Sequence, residues 1–222
     1  VDHPSAREFV ANLITRIVHK RQAQLPLAEL RADPVFQSAF GDDPRAPFQR
    51  LLEAGVLAVG GSDFAPRLRF THERLLEYLL AQYYDAQCAE GNLGEDCLIN
   101  MARDSWNFPA LWGAALTLLL LGKNADQFIL LAESEFSEAR QLATEGLAAL
   151  FQDDASLAVS LANRLLERPS IEGKRVALFA ASLMGETGFD LFRSASGSRE
   201  ASARQTALVV INAIYHHDPQ IV

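Results

Sequence analysis

Near the start of the chain, apolar residues recur in pairs four apart: Phe9, Val10, Leu13, Ile14, Ile17 and Val18. That period places them on one stripe of a helix running from Ser5 to about Gln22 or Gln24. Leu27, Leu30, Val35, Phe36 and Phe40 form a second helical region. Pro34 breaks it into two short pieces, because proline lacks the backbone donor and clashes with the preceding turn. After Gly41, either Asp42 or Asp43 is placed to cap a third helix through Gln49 to Ala54, and Gly55 ends it.

The period then shortens. Val56-Leu57-Ala58-Val59 and Arg67-Leu68-Arg69-Phe70 are β-like runs on either side of the turn-rich GGSDFAP, which predicts a hairpin. Three helices followed by a two-stranded wing is the order of a winged helix. Thr71 is placed to cap the next helix, with His72 and Glu73 in its first turn, where backbone N–H groups and the helix dipole favour an anion. Leu75, Leu76, Leu79, Leu80 and Tyr83 form the buried stripe of that helix, while Glu77 and Gln82 face elsewhere.

Beyond Gly91-Asn92-Leu93-Gly94 the pattern is helix and short turn throughout, punctuated by Asn107-Phe108-Pro109, Gly122, Asp153-Asp154, Pro169 and Gly185. A weak repeat runs through it. Arg140-Gln141-Leu142-Ala143, Lys174-Arg175-Val176-Ala177 and Arg204-Gln205-Thr206-Ala207 begin three similar helices, 34 and then 30 residues apart. Their small and apolar faces read Leu147, Ala148, Leu150; Ala180, Ala181, Leu183; and Ile211, Ala213, Ile214. The first and third also close alike, Phe151 to Ala155 against Tyr215 to Pro219. A helix-pair repeat of this length predicts an α-solenoid of HEAT or armadillo type, with an irregular helical bundle as the alternative. The fold expected is therefore mainly α: a winged-helix domain over residues 1–90 and a helical repeat domain over residues 91–222. The repeats break off without a polar capping unit, so the segment reads as an excised middle piece of a longer protein.

Composition narrows the possibilities. At 222 residues, 49% hydrophobic and 22% charged, the chain has ample material for a core. The longest apolar run, Ala110 to Leu121, is too short to span a bilayer and reads as a buried helix. The first residues lack a basic segment followed by an apolar stretch, so no signal peptide is read and a cytoplasmic location follows by default. Cys88 and Cys97 have no second pair and no histidine at ligand spacing, which predicts free thiols rather than a disulfide or zinc site. The formal charge is −8; residues 1–90 hold ten Lys and Arg against twelve Asp and Glu, and residues 91–222 hold ten against sixteen. Neither half offers the basic stripe that phosphate neutralisation requires, which disfavours nucleic acid.

Catalytic motifs are missing: there is no GxxxxGK[ST], GxSxG, HExxH or CxxC, so no catalytic residue and no metal site is assigned. His216-His217-Asp218 reads as an exposed turn. Trp106 and Trp112 flank Asn107-Phe108-Pro109 and are expected to pack the first helical pair together or to seat the repeats on the winged helix.

The junction at Phe70 carries more information. Phe70, His72, Glu77, Tyr78 and Ala81, with Tyr84 three further on, match the pattern Phe-x-His, four residues, Glu-Tyr/Phe, two residues, Ala. This resembles the end of the winged helix in STAND signalling ATPases, the family that includes NACHT proteins and animal inflammasome receptors. The resemblance covers about 90 residues. It implies that His72 reaches the phosphates of ADP, with Phe70, Thr71, Glu77 and Tyr78 supporting the sensor loop. It further implies an upstream nucleotide-binding domain that holds ADP or ATP, a ligand or protein partner at the repeats, and homo-oligomerisation of the parent on activation. The fragment itself, lacking a phosphate-cradling loop, is expected not to be an enzyme. Two alternatives stay open: a winged-helix DNA-binding regulator with a helical effector domain, for which Arg45, Arg50, Arg67 and Arg69 are the available cations, and a HEAT-like protein scaffold.

Overall fold

The computed structural model describes residues 4–41, 45–62 and 64–217. These are mainly helical, with one small three-stranded antiparallel sheet. They divide into two compact units, one of the described residues in Val1–Gly94 with Asp104–Thr117, the other of Glu95–Arg103 with the described residues from Leu118 onward.

The first unit starts with α1 (Pro4–Lys20), whose stripe of Phe9, Leu13, Ile14 and Ile17 is buried. A short strand the periodicity did not reveal, β1 (Gln24–Pro26), precedes α2 (Leu27–Ala32). The chain then turns at Asp33 and Pro34 and makes a single 3-10 turn at Gln37–Ala39. Proline therefore splits this region as its chemistry requires. α3 (Pro47–Glu53) begins at an Ala46 N-cap with Pro47 in its first turn; Asp42 and Asp43, the expected caps, lie outside the described residues. It ends in a Schellman turn. Gly55 takes a φ of 65°, its N–H donates to Leu52 and the N–H of Val56 donates to Leu51.

β2 (Leu57–Ser62) and β3 (Ala65–Phe70) form the expected hairpin, and β1 adds to its free side to give the order β1-β3-β2. Leu25 pairs with Leu68 and Leu57 with Phe70, and all four side chains are buried. The sheet thus turns one apolar face inward, as a period of two demands. Four phenylalanines complete this core: the Phe9 ring meets those of Phe36, Phe40 and Phe48 edge-on, at centroid distances of 5.5, 5.9 and 6.4 Å. α4 (Glu73–Ala89) follows the hairpin directly and packs against α1 and β3.

α5 (Cys97–Asp104) and α6 (Ala110–Gly122) come next. α6 is the apolar run, with Ala110, Leu111, Ala114, Ala115 and Leu119 all buried. The expectation for Trp106 is corrected: it is 90% exposed, and Phe108 is the aromatic that is buried there. Trp112 is half-buried.

In the second unit six helices form two rows. α7 (Ala125–Ala132), α9 (Ala155–Glu167) and α11 (Glu186–Ser196) make one row; α8 (Ser137–Asp153), α10 (Ile171–Ser182) and α12 (Ala201–His217) make the other. Within the second row α8 packs on α10 and α10 on α12. Asn124, Asp154 and Ser170 cap α7, α9 and α10 through their side chains.

The basic residues that mark the sequence repeat stand at the fourth position of α8, α10 and α12. Counted from that residue, positions −1, +2, +3 and +6 are buried in all three helices: Ala139, Leu142, Ala143 and Gly146; Gly173, Val176, Ala177 and Ala180; Ala203, Thr206, Ala207 and Val210. Small residues at −1 and +3 let neighbouring helices approach closely. This register corrects two of the predicted faces, since Leu183 is 60% exposed and Ile211, Ala213 and Ile214 are only half-buried. Arg140 donates to the carbonyls of Ser134 and Glu135, and Arg204 to those of Ser198 and Arg199, so both arginines clamp the loop five and six residues before them. Lys174 instead reaches forward to Glu200 and Ser202. The similar helix endings predicted around Phe151 and Tyr215 are not comparable, because Asp218, Pro219 and the side chains of Tyr215, His216 and His217 lie outside the described residues.

Candidate functional site

β3 ends at Phe70, whose ring is buried, and α4 starts three residues later. The expectation that Thr71 caps α4 is not met. Its hydroxyl donates to the carbonyl of Gly55 and its N–H to the carbonyl of Val56, 3.1 Å away, so Thr71 ties the junction to the turn between α3 and β2. Its threonine hydroxyl therefore closes a long-range contact of a kind no local motif announces. Thr71→Val, nearly isosteric but without the donor, is expected to cost about 1 kcal/mol in urea denaturation.

His72 occupies the N-cap position in place of the first turn. Its backbone is extended (φ −117°, ψ 123°), its carbonyl accepts from Leu75 and Leu76, and its imidazole makes no capping bond to the helix. The residue is exposed, beside the first-turn amides of α4, which an α-helix leaves without intrahelical acceptors. Arg74, two residues on, has a side chain 85% exposed and adds a cation at a position the Phe-x-His pattern leaves unspecified. Its signal was its place in the same first turn as His72.

The side chain of Glu77 is only 12% exposed, and its carboxylate lies directly against Gly113 of α6, where a side chain would collide with it. The guanidinium of Arg74 reaches Glu77 at 3.1 Å, so Glu77 steadies Arg74. Tyr78 is exposed, and its hydroxyl accepts from Gln82 at 3.0 Å. The structure thus gathers Phe70, Thr71 and His72 at one junction, while Glu77 and Tyr78 lie on different faces of α4.

The predicted buried stripe of α4 divides in two. Leu76 and Leu80 enter the core; Leu75, Leu79 and Tyr83 instead line a cleft of about 700 Å³, whose other wall includes Val10 and Ile14 of α1. Neither Cys88 nor Cys97 forms a disulfide. Among the described residues no three His, Cys, Asp or Glu side chains are grouped to hold a metal ion, and no helix is long and apolar enough to cross a membrane. No protein-family model, curated protein or solved structure matches the chain.

Proposed function

We propose that this chain is the regulatory winged-helix region and the first sensor-side helical repeats of a STAND-type, NACHT-like ATPase. The observation that carries the reading is His72, exposed at the N-cap of a 17-residue helix and held there by Thr71 through the turn at Gly55. A histidine beside a helix N-terminus, with Arg74 two residues on, is a natural receptor for phosphate oxygens brought by another domain. The order of α1, β1, α2, α3 and the β2–β3 hairpin supports the winged helix, and the two rows of helices with a common buried register support a HEAT-like solenoid.

In this reading ADP on an upstream domain meets His72 in the resting state. A ligand or protein partner at the repeats favours the arrangement in which that contact is broken, and the parent protein then oligomerises. Such a device is a two-state element biased by both ligands. In this reading ATP hydrolysis belongs to an upstream nucleotide-binding domain.

The test is the nucleotide retained by the longest natural chain containing this segment, purified as wild type and as His72→Ala. ADP is expected with the wild type and exchanges about tenfold faster from the variant, the effect of losing one charge-assisted hydrogen bond. Equal retention and equal basal activity would remove His72 from the switch.

A further inference from the structure

The sheet of the first unit has two edges, and the sequence protects one of them. β1 is three residues long and ends in Pro26, whose nitrogen has no hydrogen to offer a further strand. β2 is six residues long, lies at the other edge of the order β1-β3-β2, and reads Leu57-Ala58-Val59-Gly60-Gly61-Ser62, with no charge and no proline. Short length, proline and charged side chains are common means of keeping an edge from pairing, and β2 has none of them.

The register shows which backbone groups are unused. The N–H of Thr71 donates to the carbonyl of Val56 at 3.1 Å, which makes them a hydrogen-bonded pair one step beyond Leu57 and Phe70. Bonded pairs alternate along an antiparallel ladder, so Ala58 bonds with Arg69 and Gly60 with Arg67, while Leu57 and Val59 turn their N–H and C=O away from β3. Pro66, opposite Gly61, fits this alternation, because that pair needs no donor. Val59 is 43% exposed, and Gly61 and Ser62 are exposed beyond it.

The side chains beside this edge give it a charge. On the face shared by Ala58, Gly60 and Ser62 stand Arg67 and Arg69, both exposed and, among the described residues, without an ion-pair partner. Arg67 is directed over β1, with Nη1 3.5 Å from the Gln24 carbonyl oxygen. Arg69 leans the other way: its Nε lies 3.8 Å from the point that a Cβ on Gly60 would occupy, so its side chain lies over β2. On the opposite face the exposed apolar side chain of β2 is Val59.

We propose that the edge of β2 receives an extended segment of a partner protein as a fourth strand, and that this segment alternates acidic with apolar residues. The backbone of Leu57 and Val59 supplies the ladder bonds, and alternate side chains supply the selectivity. An acidic residue on the face of Ala58 and Gly60 meets Arg69, and an apolar residue on the other face covers Val59. A second copy of the chain suits the site poorly, because pairing β2 with β2 brings Arg69 of each copy onto a shared face. This surface lies beyond the nucleotide reading and is independent of His72.

The probe is a fluorescein-labelled peptide in which glutamate alternates with valine, titrated with the longest natural chain containing this segment and followed by anisotropy. Saturable binding is expected, and it weakens about tenfold or more in Arg69→Glu. Val59→Pro, which removes an outward donor and no bond to β3, weakens it to a similar degree. A peptide with lysine in place of glutamate does not bind. A readout that needs no variant is hydrogen exchange, which slows about tenfold or more over residues 57–61 when the glutamate peptide is bound. Absence of saturable binding, equal binding of the two peptides, or unchanged exchange over β2 overturns the proposal. Self-association of the chain that Val59→Pro abolishes would overturn it by making a second copy the occupant. Loss of the His72 effect on nucleotide would leave these results untouched.

Discussion

Gly188→Ala is expected to destabilise the chain by about 3 kcal/mol, although alanine is the better helix former by about 1 kcal/mol. Gly188 is buried in the first turn of α11, and a Cβ there would overlap the backbone carbonyl oxygen of Ala181 at the end of α10. That carbonyl accepts the N–H of Met184 at 3.0 Å, so it has no freedom to swing aside without losing a bond. Two other glycines set the scale. At Gly146 a Cβ would lie 2.7 Å from Leu119 Cδ2 and 3.1 Å from the Phe128 ring, both side-chain atoms that give way in part, and Gly146→Ala should cost about 1 kcal/mol. At Gly94 nothing lies within 4 Å, so Gly94→Ala should be nearly neutral. Urea midpoints for the three variants test the order. A Gly188→Ala protein as stable as wild type would mean that α10 and α11 do not approach as described.

The second large effect concerns Lys174. Its side chain is fully buried, with Nζ 2.6 Å from Glu200 Oε1 and 3.0 Å from Ser202 Oγ, and it joins α10 to the start of α12. A buried ammonium is tolerable only when its donors are met, and here a carboxylate and a hydroxyl meet two of them. Lys174→Ala removes the aliphatic stem as well as the charge and is expected to cost about 3 kcal/mol, chiefly through the cavity. Lys174→Met fills that volume, and Glu200, half exposed, returns to water; the loss should stay near 1 kcal/mol. If both variants lose the same stability, the ion pair rather than the packing of the stem carries the contact.

The pH dependence has a definite sign. The hydrogen bond from Lys174, then that from Ser202, holds the Glu200 carboxyl below its ordinary value of 4.5. A carboxylate whose folded pKa is depressed stabilises the native state above its unfolded pKa, and this contribution disappears as pH falls through the lower folded value. Thermal stability of the wild type should therefore decline below about pH 4.5, and the decline should be shallower in Lys174→Met. Glu138, lowered by its own backbone N–H and by Ser137, keeps part of the slope in both proteins.

How much of this was legible in the sequence varies with the range of the interaction. The stripe of α1, the break at Pro34, the glycine stop after α3 and the hairpin are local effects of side-chain period and backbone freedom, and each is found where the pattern put it. β1 was not legible, because three residues cannot display a period and Gln24–Pro26 becomes a strand only by pairing with Arg67–Arg69. At the candidate site, the local pattern singles out Phe70 and His72 but not Arg74. Capping is the common local use of threonine, whereas the acceptor of the Thr71 hydroxyl, the Gly55 carbonyl, is 16 residues away.

The sequence by itself determined most of the elements: which stretches are helical, which stretch is a hairpin, and that three helices share a basic residue followed two and three positions later by an apolar or threonine side chain and an alanine. It did so because dihedral preference, capping and periodicity act within a few residues. Only the tertiary structure decided which face of each helix is core. Leu183 and Leu208 have the same hydrophobicity as Leu178, yet among the described residues Leu178 is the one packed into a cluster with Ala195, Ala207 and Val210. The same holds for Glu77, set against a glycine of α6, and for Lys174, buried because Glu200 and Ser202 arrive from the next repeat. Burial is a property of what lies across the gap, and that is supplied by residues far away in the chain.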